Sequence, residues 1–239
     1  MRARFSRRLI GCAIVAQTAM GQLLDIVTPL HKATRRDYLG RMQDDKVECM
    51  NVARRYGKEF WDGDRRYGYG GYHYDGRWKV VAERLIAQYK LREDASILDV
   101  GCGKGFLLHE LAELLPRASV RGFDISEYAI ANAKPEVREH LFVHRAEEPL
   151  PFERGSFDLV ISLGTLHNLP LEPLKKAIAE IGRVGNDAYV MVESFRSAEE
   201  LFNLQCWALT CESFHRPESW CWLFSEWGYV GDYEFIYFE

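Results

Sequence analysis

The run Asp99-Val100-Gly101-Cys102-Gly103-Lys104-Gly105 constrains this chain more than any other stretch. An apolar segment with β character, Ala95 to Val100, leads into it, and a helical segment, Phe106 to Leu115, leads out. Glycine at alternate positions lets the backbone turn sharply and approach a ligand with no Cβ in the way. Strand, glycine loop and helix N-terminus, in that order, are how a doubly wound sheet cradles a nucleoside-bearing cofactor. The spacing is G-x-G-x-G. A dinucleotide fingerprint would need its third glycine where Phe106 stands.

The rest of the chain repeats the theme. Asp124 closes the next apolar run, Ala118 to Phe123, about where the second strand of such a sheet offers a carboxylate to ribose hydroxyls. Then come Glu147-Glu148-Pro149-Leu150-Pro151-Phe152 and Ser156-Phe157-Asp158-Leu159-Val160-Ile161-Ser162. Strands are predicted at Ser96–Val100, Ser119–Asp124, Leu141–His144, Phe157–Ser162, Ala188–Glu193 and Asp232–Phe238. Helices alternate with them at Lys79–Tyr89, Gly105–Leu115, Ser126–Ala133 and Leu171–Val184, followed by Ala198–Leu209 and Glu218–Trp227. Such alternation predicts an α/β fold, a Rossmann-like doubly wound and mostly parallel sheet, with its ligand outside the C-terminal strand ends.

Together these motifs resemble the class I S-adenosylmethionine-dependent methyltransferases, over roughly residues 80–195. The resemblance implies S-adenosyl-L-methionine as cofactor, held by Asp99, Gly101, Cys102, Gly103, Asp124, Ile125, Ala146, Glu147, Ser162 and Leu163. Asp99 would anchor the loop and the methionyl amino group, and Asp124 would accept from the ribose diol. The plainer readings are a turn-forming aspartate at 99 and a helix-start neighbour of Ser126 at 124. Cys102 also answers the loop's need for a small side chain. Many family members carry Gly-Asp-Ala-Glu beside the adenine, whereas this chain reads His144-Arg145-Ala146-Glu147. Arginine cannot accept a hydrogen bond, so adenine readout moves to the Ala146 backbone or to Glu147. The family also closes its sheet with an antiparallel hairpin. Only one strand is evident here, which predicts a shortened edge. His167, on the rim after the fourth strand, has an ordinary pKa of about 6.5 suited to a general base. Its other reading is a packing residue ahead of Leu169-Pro170.

The least generic segment is Tyr56 to Trp78, where tyrosine and glycine alternate. It is too glycine-rich for a stable helix or an interior strand. Rings with an apolar face and a hydroxyl suit a lid over a polar small molecule. Tyr69, Tyr72, Tyr74, Arg77 and Trp78 are therefore the candidate acceptor-binding residues, the alternative being a static cover of the sheet edge. Asp62, Asp64 and Asp75 oppose phosphate and argue against a single-strand nucleic-acid platform.

Bulk properties bound the remaining choices. A net charge of −4 argues against nucleic-acid binding. The six cysteines are scattered, as in a reducing compartment. Cys206, Cys211, His215 and Cys221 have zinc-ligand chemistry but not a common zinc spacing, and their aromatic surroundings favour buried thiols, so no metal is expected. The chain divides into a leader over 1–33, of amphipathic or disordered character, an N-terminal helix (Asp37 to Tyr56) with the aromatic lid over 34–79, and the α/β body over 80–239. The leader's arginines, its apolar stretch and Ala19-Met20-Gly21 allow a signal peptide, an amphipathic leader or a misread start. The apolar stretch is too short to span a bilayer. A cofactor made in the cytosol favours a cytoplasmic enzyme with a small-molecule or carbohydrate-like acceptor. A non-catalytic cofactor-binding subunit and a nicotinamide oxidoreductase are the competing readings, the latter disfavoured by Phe106.

Overall fold

The computed structural model describes residues 20–70 and 72–239. Six strands form one sheet: β1 (Ser96–Val100), β2 (Ser119–Asp124), β3 (Leu141–Val143), β4 (Phe157–Leu163), β5 (Gly185–Glu193) and β6 (Asp232–Ile236). They lie in the order β3-β2-β1-β4-β5-β6, and every pairing is parallel. The order reverses between β1 and β4, so a crevice opens beyond their C-terminal ends. The helices of the body are α5 (Lys79–Tyr89), α6 (Phe106–Leu114), α7 (Glu127–Ala131), α8 (Leu171–Val184), α9 (Ala198–Trp207) and α10 (Pro217–Glu226).

Strand alternation divides the core into two layers. Leu98, Val100, Val160, Val190 and Phe235 face Leu174, Ile178 and Ile181 of α8 and Trp220 and Phe224 of α10. Ile97, Val120, Leu159, Ile161 and Tyr189 face Val81 and Leu85 of α5 and Leu107 and Leu111 of α6. Apolar residues on both faces are what a parallel sheet buried on both sides requires.

The sheet closes on one strand at its β6 edge, as expected, while the leader departs from expectation. No antiparallel strand occurs among the described residues, because α9 and α10 form a crossover that returns β6 parallel to β5. The exposed side of β6 is instead met by residues 22–24: Leu24 N donates to Tyr233 O (2.8 Å), and Tyr233 N donates to Gln22 O (3.0 Å). Residues 20–33, expected within an uncoupled leader, are thus part of the fold. Buried Glu234 accepts from the amides of Ile26 (2.6 Å), Val27 (3.0 Å) and Thr28 (2.5 Å) and from the Tyr189 hydroxyl. These bonds hold α1 (Thr28–Lys32) against the sheet. Residues 1–19, and with them the possible cleavage site's Ala19, lie outside the described residues. No helix among those described is long and apolar enough to cross a membrane.

The single helix expected over Asp37 to Tyr56 is two, α2 (Tyr38–Gln43) and α3 (Lys46–Ala53), parted at Asp44-Asp45 where Asp45 has φ +36°. A further turn, α4 (Lys58–Asp62), lies inside the segment expected to be irregular.

Candidate functional site

A cavity of about 910 Å³ opens at the sheet's switch point and is roofed by residues from the N-terminal segment and from the chain after α9. Its floor begins with the glycine loop. Gly101 and Gly103 have φ +82° and +54°, and a Cβ at Gly101 would lie 2.1 Å from Thr165 Oγ1. A Cβ at Gly103 would lie 2.8 Å from the Trp61 ring. Both glycines are therefore required by conformation and by close approach.

Asp124 ends β2 beneath this loop. Its Oδ2 accepts from Gly103 N (2.9 Å) and its Oδ1 from Ser126 N (2.8 Å). Burial pushes its pKa up, and the amide bonds pull the other way. Each oxygen keeps a further lone pair for a ligand hydroxyl. Asp99, at the end of β1, also lines the cavity. Burial and the neighbouring Asp124 push its pKa to about 8. An incoming ammonium would restore that carboxylate's charge. On the far wall His144 contributes a buried Nε2 with no hydrogen-bond partner. Arg145 and Glu147 pair there at 2.7 Å, so Glu147 is already engaged by the arginine that departs from the family pattern. Vicinal oxygens at Asp124, a carboxyl at Asp99 that a cation would ionise and an unsatisfied ring nitrogen at His144 together suit a ligand carrying a diol, a cation and a polar heterocycle.

Of the residues expected around the cofactor, Asp99, Gly101, Cys102, Gly103, Asp124, Ile125, Ala146, Glu147 and Leu163 line this cavity. Ser162 does not: it is fully buried and its hydroxyl donates to Val100 O (3.0 Å). Among the acceptor candidates Tyr69, Tyr72, Arg77 and Trp78 reach the wall. Tyr74 stands outside, donating to Glu110 (2.8 Å) and packed edge-on against Phe106 and His109.

His167 is also displaced from the cavity. The 3₁₀ turn Leu166–Asn168 carries its ring inward, where Nδ1 accepts from Glu193 N (3.3 Å) and Nε2 lies 3.4 Å from the Glu193 carboxyl. Burial lowers the imidazole pKa to about 3 and raises that of Glu193 to about 8, so the pair is held neutral. This geometry favours the packing reading over a general base.

The cover is fastened by contacts that spacing does not announce. Lys104 of the glycine loop, itself buried, binds Asp62 of α4 at 2.6 and 2.7 Å, and the Tyr128 hydroxyl donates to the same carboxylate (2.9 Å). Burial pushes the Asp62 pKa up, but the bonds from Lys104 and Tyr128 outweigh it and hold the group below its usual value. Trp61 Nε1 donates to Ser126 Oγ (2.8 Å), the residue that caps α7. Tyr72 packs on Trp61 with ring centroids 4.6 Å apart. The Tyr69 oxygen accepts from Leu209 N (2.8 Å) and Thr210 N (3.1 Å) and donates to Thr210 Oγ1 (2.8 Å), which donates onward to Asn168 Oδ1 (2.8 Å). Of the tyrosines expected in a lid, Tyr69 is hydrogen-bonded into the wall and Tyr72 is packed there. Trp61, Lys104, Thr165, Asn168 and Thr210 had no expected role. The one signal for any of them was the run of aromatic and acidic residues before Gly63.

Comparison with known proteins follows this geometry. Residues 91–232 match a family model described as a methyltransferase domain. A Haemophilus influenzae protein of uncharacterised function is 34% identical over 141 residues, covering 50% of this chain and 56% of its own. A malonyl-[acyl-carrier protein] O-methyltransferase of Legionella pneumophila is 38% identical over 94 residues, covering 37% of this chain and 33% of its own. These alignments span about half or less of the relatives' lengths. A structure of a complex with the Haloferax volcanii Trm112 methyltransferase activator aligns with a TM-score of 0.50 at 16% identity, over 81% of this chain and 76% of that one, a likeness of fold.

Proposed function

The chain belongs to the methyltransferase-domain family, and on that premise we propose that it transfers a methyl group from S-adenosylmethionine to a small-molecule acceptor. One observation carries the reading: Asp99, the glycine loop and Asp124 share a single roofed cavity with Tyr69, Tyr72 and Trp78. In this reading Asp124 accepts from the ribose hydroxyls, Asp99 faces the methionyl ammonium and the His144 wall borders the adenine. The cofactor supplies an electrophilic sulfonium methyl whose departure leaves a neutral thioether. The protein's part is to align the acceptor and keep water out, which is where the rate of such a transfer comes from. Trp61 and Tyr72 perform the exclusion, and the Tyr69–Thr210–Asn168 chain fixes the polar wall. A volume of about 910 Å³ suits a cofactor and a small acceptor together.

The test is calorimetry of S-adenosylhomocysteine with the full chain, alongside labelled methyl transfer from S-adenosylmethionine into a metabolite extract. Binding, and label in a small-molecule product, are expected. A folded chain that binds neither cofactor form would overturn the proposal. A chain that binds but transfers nothing would favour the non-catalytic partner instead.

A further inference from the structure

The acceptor end of the cavity carries more positive than negative charge among the described residues. Arg36, Arg41 and Arg65 converge on the Trp207 ring, their guanidinium carbons 5.6, 4.4 and 5.4 Å from its centroid. Nearby Arg54, Arg66 and Arg77 are each paired with an acid: Glu212, Asp44 and Asp75. The converging three are not. Arg41 spends its donors on backbone carbonyls, Nε on Trp207 (3.0 Å), Nη1 on Arg65 (3.0 Å) and Nη2 on Gly68 (2.6 Å), so it is part of the scaffold. Arg36 donates from Nη1 to Thr34 O (3.0 Å) and from Nη2 to His31 Nδ1 (2.9 Å), while its Nε is buried with no partner. Arg65 is exposed, with its guanidinium over Trp207 and beside Gly70. Behind them Lys46 Nζ donates to the carbonyls of Cys206 (2.7 Å) and Ala208 (2.5 Å).

The acids that line the groove, Asp37, Asp44 and Asp64, are outnumbered by its arginines, Arg35, Arg36, Arg41, Arg65 and Arg66. Asp37 accepts from Gly40 N, Asp64 accepts from Arg66 N, and Asp44 is paired with Arg66. Glu193, the carboxyl that faces Arg36 from the interior, is held largely neutral near pH 7 by its burial. Burial and mutual repulsion lower the pKa values of Arg36 and Arg41, with Arg65 a contributor to both, and that of Lys46 to about 8. A bound anion would relieve that repulsion. Position completes the case. Arg36, Arg65 and Trp207 line both the main cavity and the shallow groove beside it, so they stand at its mouth. A guanidinium laid on an aromatic face is fixed in plane and keeps donors at its edge for an oxyanion.

We propose that Arg36 and Arg65 form an oxyanion subsite at the cavity mouth, so that the acceptor carries a carboxylate or phosphate group distant from the atom that is methylated. The identity of the occupant as acceptor rests on the function proposed above; the anion site itself does not.

The test is calorimetry on the full chain with inorganic pyrophosphate and with citrate, each with and without S-adenosylhomocysteine. At least one probe is expected to bind, and the tighter of the two tells phosphate from carboxylate. Arg65→Gln should weaken it by about tenfold, the scale of one charge-assisted contact, and Arg36→Gln with Arg65→Gln should remove it, while S-adenosylhomocysteine affinity stays unchanged. Among the described residues Arg65 makes no side-chain hydrogen bond, so its single variant reads binding even where the double variant folds poorly. If neither probe binds, or the Arg65→Gln protein binds both as the parent does, the cluster is packing around Trp207 and the subsite is wrong. Anion binding that persists in a chain unable to bind S-adenosylhomocysteine would sink the proposed activity and leave the subsite standing.

Discussion

The α/β body and the cover of residues 20–78 lie against the same cavity but are held by different physics. The body is fixed by many interchangeable apolar contacts on both faces of its sheet, so its geometry follows from a repeating pattern. The cover is fixed by a few unlike ones: three amides on Glu234, a lysine on Asp62, an indole on Ser126 and a tyrosine on Thr210. Distributed contacts tolerate change and point contacts do not. The cofactor end should therefore resist substitution outside its carboxylates and loop glycines, and the acceptor end should respond to single atoms.

The largest effect is expected where the two regions join. Glu234→Ala strands three amides and a tyrosine hydroxyl and should cost about 3–4 kcal/mol of stability, read by chemical denaturation. A loss below 1 kcal/mol would mean that the N-terminal segment docks by other means. Next, Asp124→Ala should weaken S-adenosylhomocysteine binding by about 1.5–3 kcal/mol in calorimetry. Unchanged affinity would move the diol contact elsewhere and erase the contrast at the cofactor end.

Asp62→Asn should cost about 1–3 kcal/mol, chiefly by loosening the cover, and should raise protease cutting between α4 and α5 ahead of cutting in the body. Because the folded Asp62 pKa lies below its unfolded value, this stabilisation is present above the ordinary aspartate range and is lost as pH falls through the folded pKa. Cutting in the parent should rise in that acid window and should rise less in Asp62→Asn. Equal acid sensitivity of the two proteins would remove Asp62 as the latch. His167→Gln should destabilise by about 1–3 kcal/mol while leaving the pH–rate profile unshifted; loss of an acid limb would restore His167 as a base. Smallest is Arg77→Ala. Its exposed pair with Asp75 is worth about 0–1 kcal/mol to stability, so any larger change in acceptor use would report direct contact.

The same contrast explains what could be read from the residues alone. β1, β2 and α8 begin and end where periodicity and turn chemistry put them, because a buried strand or an amphipathic helix writes its period into its own sequence. Asp99, Gly101, Gly103 and Asp124 were legible for a related reason: a strand–loop–helix joint needs those residue types locally. Ser162 and Leu163 were expected together, but adjacent strand residues face opposite sides of the sheet and of the two Leu163 lines the cavity. His167 stayed open between base and packing because a single 3₁₀ turn decides whether a rim residue points out or in. The Lys104–Asp62 pair gave no sign of itself, since a pair separated by so much chain leaves no period to find. Glu234 was hidden in the same way, as one polar residue in an apolar strand.

The parallel return of β6 has a consequence for the order in which the molecule is made. Residues 26–28 are synthesised 206 to 208 residues ahead of Glu234, whose carboxylate accepts from their amides. The body's inner strands can pair before β6 is made, but the segment over residues 22–28 lacks its Tyr233 and Glu234 contacts until then. Full closure on that side of the cavity is thus coupled to the making of β6. A chain halted before Asp232 would keep the bonds from Asp62, Trp61 and Tyr69 that fasten the roof and would lack the Glu234 anchor, one of its longest-range contacts.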